Sequence, residues 1–373
     1  MLVTNSQSKD ATPSDMILRW QTFKEYIYTH EQQVSLGALA LGFVWDSLTL
    51  GRPDQLFNNV VFVTYLIISG ASIFLIALYE RRNVVAPALL LPAMQFSFGN
   101  LGGGLFIVYG QSGSLEGSAL FFILLFAFIF GNEFLRSYYA RISFHIAAWY
   151  FLLFAYLTII IPILLGKLGG LIFMVSGIFS LVIITLFLFL LKTVSPERVV
   201  LARKMNIALV SSVFLILNVL YFYNIIPPVP LSITEIGIYH SLTKLPNGNY
   251  GVAYEKPLWW QWKRSTSSIF NRTVGDSAYC FSSVFAPIRL SSGVYHRWEY
   301  YVSNKEEWET ATLVPFSISG GREGGYRGYS IKTDLALGKW RCSVETSYGA
   351  LIGRTTFTVV NADVSLALFE KEL

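Results

Sequence analysis

The chain has 373 residues, of which 53% are hydrophobic and only 14% are charged. Soluble domains carry about 25% charged residues, so this composition excludes an ordinary soluble protein and indicates that much of the chain lies in a lipid bilayer. The net charge of +5 is small for this length, and we therefore expect no nucleic-acid partner.

Residues 1–33 are predicted to form a cytoplasmic N-terminal segment with one amphipathic helix. The stretch Thr12–Asp15 is typical of a helix start, and apolar residues follow it at helical spacing. These residues are Met16, Trp20, Phe23 and Ile27. The helix either lies on the inner leaflet of the membrane or packs as a short cytoplasmic helix on the loops.

Residues 34–226 are predicted to form a multi-span transmembrane helical domain of about seven helices. A spanning helix needs roughly 20 apolar residues to cross about 30 Å of hydrocarbon. The candidate runs are Val34–Leu50, Phe57–Tyr79, Val84–Gly110, Leu115–Leu135, Ile142–Gly166, Leu168–Leu191 and Asn206–Tyr223. Asp46 interrupts the first run.

The Lys and Arg residues between these runs predict the orientation, because cytoplasmic loops carry an excess of them. With a cytoplasmic N-terminus, only Arg52 and Lys167 fall in outer loops. The cytoplasmic segments hold Lys9, Arg19, Lys24, Arg81, Arg82, Arg136, Arg141, Lys192, Arg198, Arg203 and Lys204. Seven crossings then place residues 227–373 outside. We predict a multi-pass protein of the bacterial inner membrane with a periplasmic C-terminal domain.

Polar side chains within the predicted helices are functional candidates, because an unpaired polar group is costly in a bilayer. Asp46 lies near the outer end of its helix and could pair with Arg52. Gln95 and Asn100 lie deepest, next to the glycines of Gly102–Gly104. This region is either a transport or relay path or a tightly packed, hydrogen-bonded helix crossing.

Residues 227–373 are predicted to form an all-β, Ig-like antiparallel sandwich. Three prolines within Ile225–Pro230 end the last helix, and short alternating runs follow. The runs are Gly237–Leu245, Tyr250–Tyr254, Ala278–Phe285, Val294–Val302, Thr312–Ile318, Arg327–Lys332, Lys339–Thr346 and Gly353–Val360. Asn247-Gly248 predicts a hairpin between the first two.

The two cysteines, Cys280 and Cys342, lie on different predicted strands. The alternation places Cys342 on the core face together with Trp340 and Val344. A disulfide is permitted in an oxidising compartment, and two buried free thiols are equally compatible with the sequence.

The stretch GGREGGYRGYS, residues Gly320–Ser330, combines glycines with arginines and tyrosines. A phosphate-binding glycine loop needs a helix directly behind it, but this stretch leads to a turn and another strand. We predict a wide connection between strands. It displays Arg322, Tyr326, Arg327 and Tyr329.

The segment His296–Glu299 places His296 and Trp298 on one face of a strand. The histidine is either hydrogen-bonded beside a core tryptophan or in contact with a ligand. The sequence has no second ligand at metal-binding spacing and no paired nucleophile or acid. We therefore predict no metal, no cofactor and no catalytic residue, and an enzyme is less expected than a binding protein.

The segment Trp259–Arg264 carries three tryptophans in four residues. On an extended strand they present aromatic area on both faces. The exposed face would meet the lipid headgroup zone, a glycan ring or a partner protein.

Several separated motifs of the C-terminal half resemble a bacterial family known as domain of unknown function 2914. They are Cys280-Phe281, Ala286-Pro287, His296 with Trp298, Arg322 through Ser330, Gly338–Arg341, Gly353-Arg354 and Phe357–Val359. The resemblance covers roughly residues 275–360. It implies an envelope protein in which a multi-span region precedes this domain, and it brings no known reaction.

Three functions remain open from the sequence. In the first, the sandwich binds an envelope glycan or a periplasmic protein and the bundle serves as anchor or relay. The predicted ligand face is His296, Trp298, Arg322, Tyr326, Arg327 and Tyr329. In the second, the bundle is a small-solute transporter or channel. In the third, the protein is an envelope enzyme acting on a lipid-linked substrate near Asp46 or Glu116. The oligomeric state is not predicted.

Overall fold

A computed structural model describes the chain at residues 21–49 (apart from 23, 24 and 28), 55–112, 115–134, 142–261, 264–273, 275–287, 291–319, 325–362 and 368–373. The start of the predicted N-terminal amphipathic helix, residues 12–20, lies outside these ranges. Helices occupy the first part of the described chain and strands the second.

The described residues among 21–29 are helical, and eight further helices follow in the described part of the chain. They are α1 (Glu31–Thr49), α2 (Leu56–Arg81), α3 (Leu90–Gln111), α4 (Leu115–Phe134), α5 (Ile142–Leu165), α6 (Gly170–Val194), α7 (Pro196–Leu201) and α8 (Arg203–Phe222). Each of the seven predicted apolar runs is therefore helical over most of its length. The short helix α7 joins the last two long helices and was not predicted.

Four helices are long and apolar enough to cross a membrane, namely α2, α5, α6 and α8. Shorter apolar stretches lie in α1 (Leu36–Trp45) and α4 (Ser118–Ala127). Helix α3 is not among these four, and it carries Gln95, Asn100 and several glycines. Membrane association is thus indicated by four helices, and crossing by all seven stays a prediction.

The surface of the bundle is suited to lipid. Helix α5 is largely enclosed by its neighbours, and Tyr150 and Phe154 on it are fully buried. Helices α6 and α8 instead expose apolar side chains, such as Leu171 (84% exposed), Phe189 (67%) and Leu215 (61%). Rows of this kind are unfavourable in water, whereas lipid tails are as apolar as the side chains themselves.

The two ends of the bundle differ in charge. Arg81, at the end of α2, donates from Nη1 to the carbonyl of Val194 at 2.7 Å, so α2 and α6 end side by side. This end also carries Arg82, Lys192 and the start of α8 at Arg203-Lys204; we call it the basic end. The opposite end holds the end of α5, the start of α6 and the end of α8, where the rings of Phe173 and Tyr221 stack at 3.8 Å.

The second part of the chain, which we call the β-domain, contains eleven strands in the described residues. They are β1 (Ser232–Tyr239), β2 (Ser241–Lys244), β3 (Tyr250–Tyr254), β4 (Ile269–Arg272), β5 (Ala278–Phe285), β6 (Ser291–Val302), β7 (Glu307–Ser319), β8 (Tyr326–Lys332), β9 (Gly338–Thr346), β10 (Leu351–Asn361) and β11 (Phe369–Glu372). They form three sheets, ordered β1-β5-β8, β4-β10-β9-β6-β7 and β11-β3-β2.

The sheets are antiparallel except for the β4–β10 pair. Strands β3 and β5 have the predicted bounds, whereas β4 and β11 were not predicted. The predicted strand Gly237–Leu245 is divided between β1 and β2, because the chain turns at His240. An all-β domain with antiparallel sheets is thereby confirmed, and an Ig-like topology stays a prediction.

The core of the β-domain lies between the first two sheets. Trp298, Trp340 and Phe357 of the five-stranded sheet pack there with Ile238 of β1. A disulfide between Cys280 on β5 and Cys342 on β9 links the two sheets covalently.

The β-domain rests on the end of the bundle that lies opposite the basic end. Leu168, before α6, packs against a cluster that includes Leu231. The turn after β9 reaches α8, since the rings of Tyr348 and Tyr221 lie 6.4 Å apart. The connection at 223–231 is short and holds a cis peptide bond at Val229-Pro230. The predicted domain boundary at 226/227 falls within it.

Candidate functional site

His296 and Trp298 lie inside the β-domain, and both are 0% exposed. The His296 ring nitrogens are 2.7 Å from the Ser282 hydroxyl and 2.9 Å from the Ser330 hydroxyl. The Trp298 indole donates to the same Ser330 hydroxyl at 2.8 Å. Of the two interpretations left open by the sequence, this geometry matches the hydrogen-bonded core histidine. Neither side chain is accessible to a ligand.

Burial also determines the charge of His296. It lowers the pKa of the imidazole to about 4, because the charged form loses its hydration. The ring packs edge-on against Phe316 at 4.8 Å. The side chain is therefore neutral at pH 7.

The disulfide lies beside this histidine. The sulfurs of Cys280 and Cys342 and a ring nitrogen of His296 lie within 4.8 Å of one another. The sulfurs are bonded to each other and offer no thiolate to a metal ion. We assign no metal centre to this cluster.

The predicted residues on β8 remain closer to the surface. Tyr329 is 44% exposed, and its ring lies 6.0 Å from that of Tyr250. Arg327, two residues earlier, shares its face of the strand. Tyr326 is half-buried and packs against an apolar cluster. Arg322 lies outside the described residues.

Arg327 opens onto a cleft with a water-accessible volume of about 180 Å³. The cleft lies on the sheet β1-β5-β8 and is bounded by Leu373, which follows β11. Its lining residues are Thr234, Glu235, Phe281, Ser283, Arg327 and Leu373. Gly325 passes directly over its wall with φ +78°, and a Cβ there would lie 2.6 Å from the Ser283 hydroxyl oxygen. Glycine is therefore required at this position.

The charged groups of the cleft are held in place. Arg327 Nη1 donates to Asn249 Oδ1 at 2.6 Å and to the Leu373 carbonyl at 3.0 Å. Glu235 accepts from Lys371 Nζ at 2.5 Å and from the Tyr239 hydroxyl at 3.2 Å. Burial, and then the charge of Glu235, raise the pKa of Tyr239. A guanidinium carries five N–H donors, so Arg327 can bind a carboxylate or phosphate while keeping these contacts.

The other residues of the sequence motif around Trp298 form ion pairs on the outer face of the five-stranded sheet. Arg341 donates two hydrogen bonds to Glu299, at 2.5 and 2.8 Å, and stacks on the Trp308 ring at 4.3 Å. Arg297 donates to Glu345 at 2.9 Å. These charges are satisfied within the domain, so their role in the described structure is to stabilise the sheet.

The polar residues of α3 lie at a close crossing with α1. Gln95 and Asn100 are buried, and Asn100 Nδ2 donates to the Phe96 carbonyl at 2.7 Å. A Cβ built on Gly42 of α1 would lie 2.3 Å from that same nitrogen. This geometry matches the helix-crossing interpretation, in which small residues let two helices approach. Asp46 belongs to α1, but its side chain is outside the described part.

The tryptophan-rich segment is a turn and not the extended strand that we expected. Trp259–Gln261 form a short 3₁₀ helix, closed by a 2.7 Å hydrogen bond from the Gln261 amide to the Leu258 carbonyl. Trp259 is 85% exposed and Trp260 57% exposed. Trp262 lies outside the described residues. Local hydrogen bonds of this kind compete with extended backbone, which explains the difference.

Of the residues that line the cleft, only Arg327 was predicted from the sequence. Thr234 and Glu235 lie on β1 and Ser283 on β5, and no local motif marks them. Pairing of β1 with β5 brings these residues together from about 50 positions apart along the chain. These cleft residues could have been identified only from the pairing of β1 with β5, which the sequence did not reveal.

The fold is thus that of an apolar helical bundle carrying an all-β domain with a polar cleft. Residues 291–359, from the start of β6 into β10, match a family described as "Protein of unknown function (DUF2914)". The match lies in the C-terminal region and is consistent with a DUF2914 domain there, as the resemblance of the motifs predicted. No curated protein sequence matches the chain.

Among solved structures, the chain matches the Pseudomonas fluorescens alkylpurine DNA glycosylase AlkC bound to DNA containing an abasic site analog. The match has 10% sequence identity and covers 83% of this chain and 100% of that chain, with a TM-score of 0.21. So low a TM-score indicates no common fold.

Proposed function

We propose that this protein is a membrane-anchored binding module of the bacterial envelope. The helical bundle holds it in the inner membrane, and the β-domain binds an envelope component, either a glycan or a periplasmic protein, in the cleft at Arg327. The observation that carries this proposal is the cleft itself, in which a fixed arginine lies beside hydrogen-bonding side chains.

The charge of the bundle supports the orientation. Arg81, Arg82, Lys192, Arg203 and Lys204 belong to the basic end, whereas the β-domain packs on the other end, near Lys167. Cytoplasmic segments of membrane proteins carry most of the Lys and Arg, so the β-domain is expected on the periplasmic side. A disulfide across its core agrees with an oxidising compartment.

The chemistry of the cleft supports a binding role. Its water-accessible volume of about 180 Å³ is smaller than the ~300–1,000 Å³ of sites that enclose a whole small ligand, so the cleft suits one charged group of a larger ligand. Arginine forms paired hydrogen bonds with carboxylate and phosphate groups, which are common on envelope polymers and on proteins. The exposed ring of Tyr329, on the same face of β8, adds an aromatic contact.

The test is capture of envelope material by the full-length protein in nanodiscs. A photo-crosslinking amino acid replaces Tyr329, and the crosslinked products are identified by mass spectrometry with and without Arg327→Ala. We expect Arg327→Ala to reduce capture about tenfold or more, because a hydrogen bond to a charged group contributes ~1.5–3 kcal/mol.

Lys332→Ala is the matched control. Lys332 lies on the same strand, but its ammonium group contacts Thr312 and not the cleft. Unchanged capture in this variant, with loss in Arg327→Ala, assigns the ligand to the cleft. Equal capture by the wild type and Arg327→Ala contradicts the proposal.

A further inference from the structure

Three side chains of the cleft form a row across the sheet β1-β5-β8. Glu235 on β1 is paired with Ser283 on β5, and Ser283 is paired with Arg327 on β8. Residues paired in this way point to the same face of a sheet, and adjacent strands lie about 4.8 Å apart. The backbone positions of Glu235 and Arg327 are therefore roughly 10 Å apart. An acid and a base thus line the same cleft on either side of one serine.

The fold holds each of the two charged groups at one atom only. Glu235 accepts hydrogen bonds from Lys371 and Tyr239, and both reach Oε1. Arg327 donates its two hydrogen bonds from Nη1. Within the described residues, Glu235 Oε2 and the Nε and Nη2 atoms of Arg327 form no hydrogen bond. Half of each charged group is therefore available to a ligand.

Glu235 and Arg327 do not satisfy each other, because they form no ion pair in the described part of the chain. A carboxylate oxygen accepts hydrogen bonds from an ammonium group. Two N–H groups of a guanidinium match the two oxygens of a carboxylate. The cleft therefore offers one position for a cation and, beside it, one position for a carboxylate.

The charged network around the cleft has no net charge. Lys371 pairs with Glu235 at 2.5 Å. Asn249 connects the other two groups, since it accepts from Arg327 and donates to the Glu372 carboxylate at 2.6 Å. Two positive and two negative side chains repel a polyanion as much as they attract it. A ligand group that carries one charge of each sign suits the cleft better.

The space in the cleft fits a small group of this kind. Its water-accessible volume of about 180 Å³ holds several water molecules, because one water needs roughly 10–15 Å³ on this measure. We propose that the cleft binds an amino-acid head group, with the ammonium on Glu235 Oε2 and the carboxylate on Nε and Nη2 of Arg327. This inference rests on the proposed function, because it names the chemical group that the cleft recognises.

The test uses isothermal titration calorimetry of the full-length protein in phosphatidylcholine nanodiscs. The probes are alanine, N-acetylalanine, in which the ammonium is blocked, and alanine methyl ester, in which the carboxylate is blocked. We expect alanine to bind. Each blocked form should bind about tenfold more weakly or worse, because it loses a hydrogen-bonded charge partner.

A fourth probe distinguishes a free amino acid from the end group of a larger ligand. Nε-acetyllysine carries the same head group as alanine on a longer body. Binding at least as tight as that of alanine supports the head group of a larger envelope molecule, with its body outside the cleft. Weaker binding than that of alanine supports a small free amino acid.

Two variants assign the two charges to their residues. Glu235→Gln keeps an oxygen for its partners in the β-domain but loses the charge, so it should lose most of the preference for alanine over N-acetylalanine. Its preference for alanine over the methyl ester should remain. Arg327→Ala should show the reverse pattern. Glu309→Gln is the matched control, because Glu309 pairs with Lys305 away from the cleft, and it should retain both preferences.

Three results would overturn the inference. They are no binding of alanine or Nε-acetyllysine, binding of N-acetylalanine as tight as that of alanine, and unchanged preferences in a Glu235→Gln variant whose unfolding midpoint shows that it is folded. The first two are measured on the wild type and do not depend on any variant. The proposed function survives all three if Arg327→Ala still reduces capture of envelope material, and it fails if capture is unchanged, whatever alanine does.

Discussion

His296 is a polar side chain that the β-domain holds neutral in its core. Its two ring nitrogens are matched by the hydroxyls of Ser282 and Ser330, and the latter also accepts from Trp298. Buried polar groups are tolerated when they are hydrogen-bonded, and here the Ser330 hydroxyl forms hydrogen bonds with both His296 and Trp298. The sequence predicted that His296 and Trp298 share a face, but not the two serines, because these come from β5 and β8.

The low pKa of His296 predicts a stability that depends on pH. Its pKa is about 4 in the folded protein against 6.5 ordinarily. Between these values the unfolded chain binds a proton that the folded chain excludes, so stability falls as the pH is lowered below 6.5. The loss approaches about 3 kcal/mol near pH 4, at ~1.4 kcal/mol per pH unit. Denaturant titrations of the β-domain within the full chain at pH 7, 5.5 and 4.5 measure it.

His296→Asn is the matched variant, since an amide does not titrate in this range. It should be less stable at pH 7 and show a flatter dependence between pH 6.5 and 4.5. Burial raises the pKa of Glu255, but its hydrogen bonds with His240 and Asn271 outweigh burial and hold the pKa below 4.5. That carboxylate therefore contributes only at more acidic pH and with the same sign. Identical pH dependence in the wild type and His296→Asn would show that another group is responsible.

Among the elements, the crossing of α1 and α3 depends on glycine. Gly42 faces Asn100, and a Cβ on Gly103 of α3 would lie 2.8 Å from the ring of Phe43. In a bilayer, helices associate through close packing and hydrogen bonds rather than through the hydrophobic effect. The glycines of α3 were visible in the sequence, but their partner helix was not, because no local pattern encodes which helices meet.

A pair of substitutions on one helix tests this crossing. Gly42→Leu should lower the thermal unfolding midpoint of the full protein in detergent by several degrees, because the backbone of Phe96 lies 3.0 Å from the added Cβ. Gly37→Leu, on the same helix, meets nothing within 4 Å and should leave the midpoint unchanged. Equal effects of the two substitutions would mean that α1 and α3 do not pack as described.

The strands show where sequence patterns suffice and where they do not. The bounds of β3 and β5 follow from alternation and from turn residues, which are local signals. Strands β4 and β11 have four residues each and are paired to distant partners, so too little alternation is available to mark them. The Trp259–Gln261 turn has strand-like composition, and its hydrogen bonds override that preference.

For the whole molecule, the property to measure is the side of the membrane on which the β-domain and the basic end of the bundle lie. We expect the β-domain outside and the basic end inside the cytoplasm. The exposed positions Ser241 and Lys204 mark the two sides. In intact cells, a membrane-impermeant maleimide should label Ser241→Cys and not Lys204→Cys. The native cysteines are bonded to each other and do not react.

After the cells are opened, both introduced cysteines should be labelled, which controls for accessibility. Labelling of Lys204→Cys alone in intact cells would reverse the orientation and remove the β-domain from the periplasm. The distribution of Lys and Arg in the sequence predicted this orientation of the protein in the membrane. The contact of the β-domain with α6 and α8 was not predictable, because it joins residues such as Tyr221 and Tyr348 that are far apart in the chain.

The seating of the β-domain on the bundle has a mechanical consequence. The short proline-containing connection is followed at once by Leu231, which packs with Leu168, and Asn224 reaches the carbonyl of Tyr348. No flexible linker therefore separates the β-domain from the bundle. A pulling force on a bound ligand would be transmitted directly to α6 and α8, and the distance between the β-domain and the lipid would stay constant.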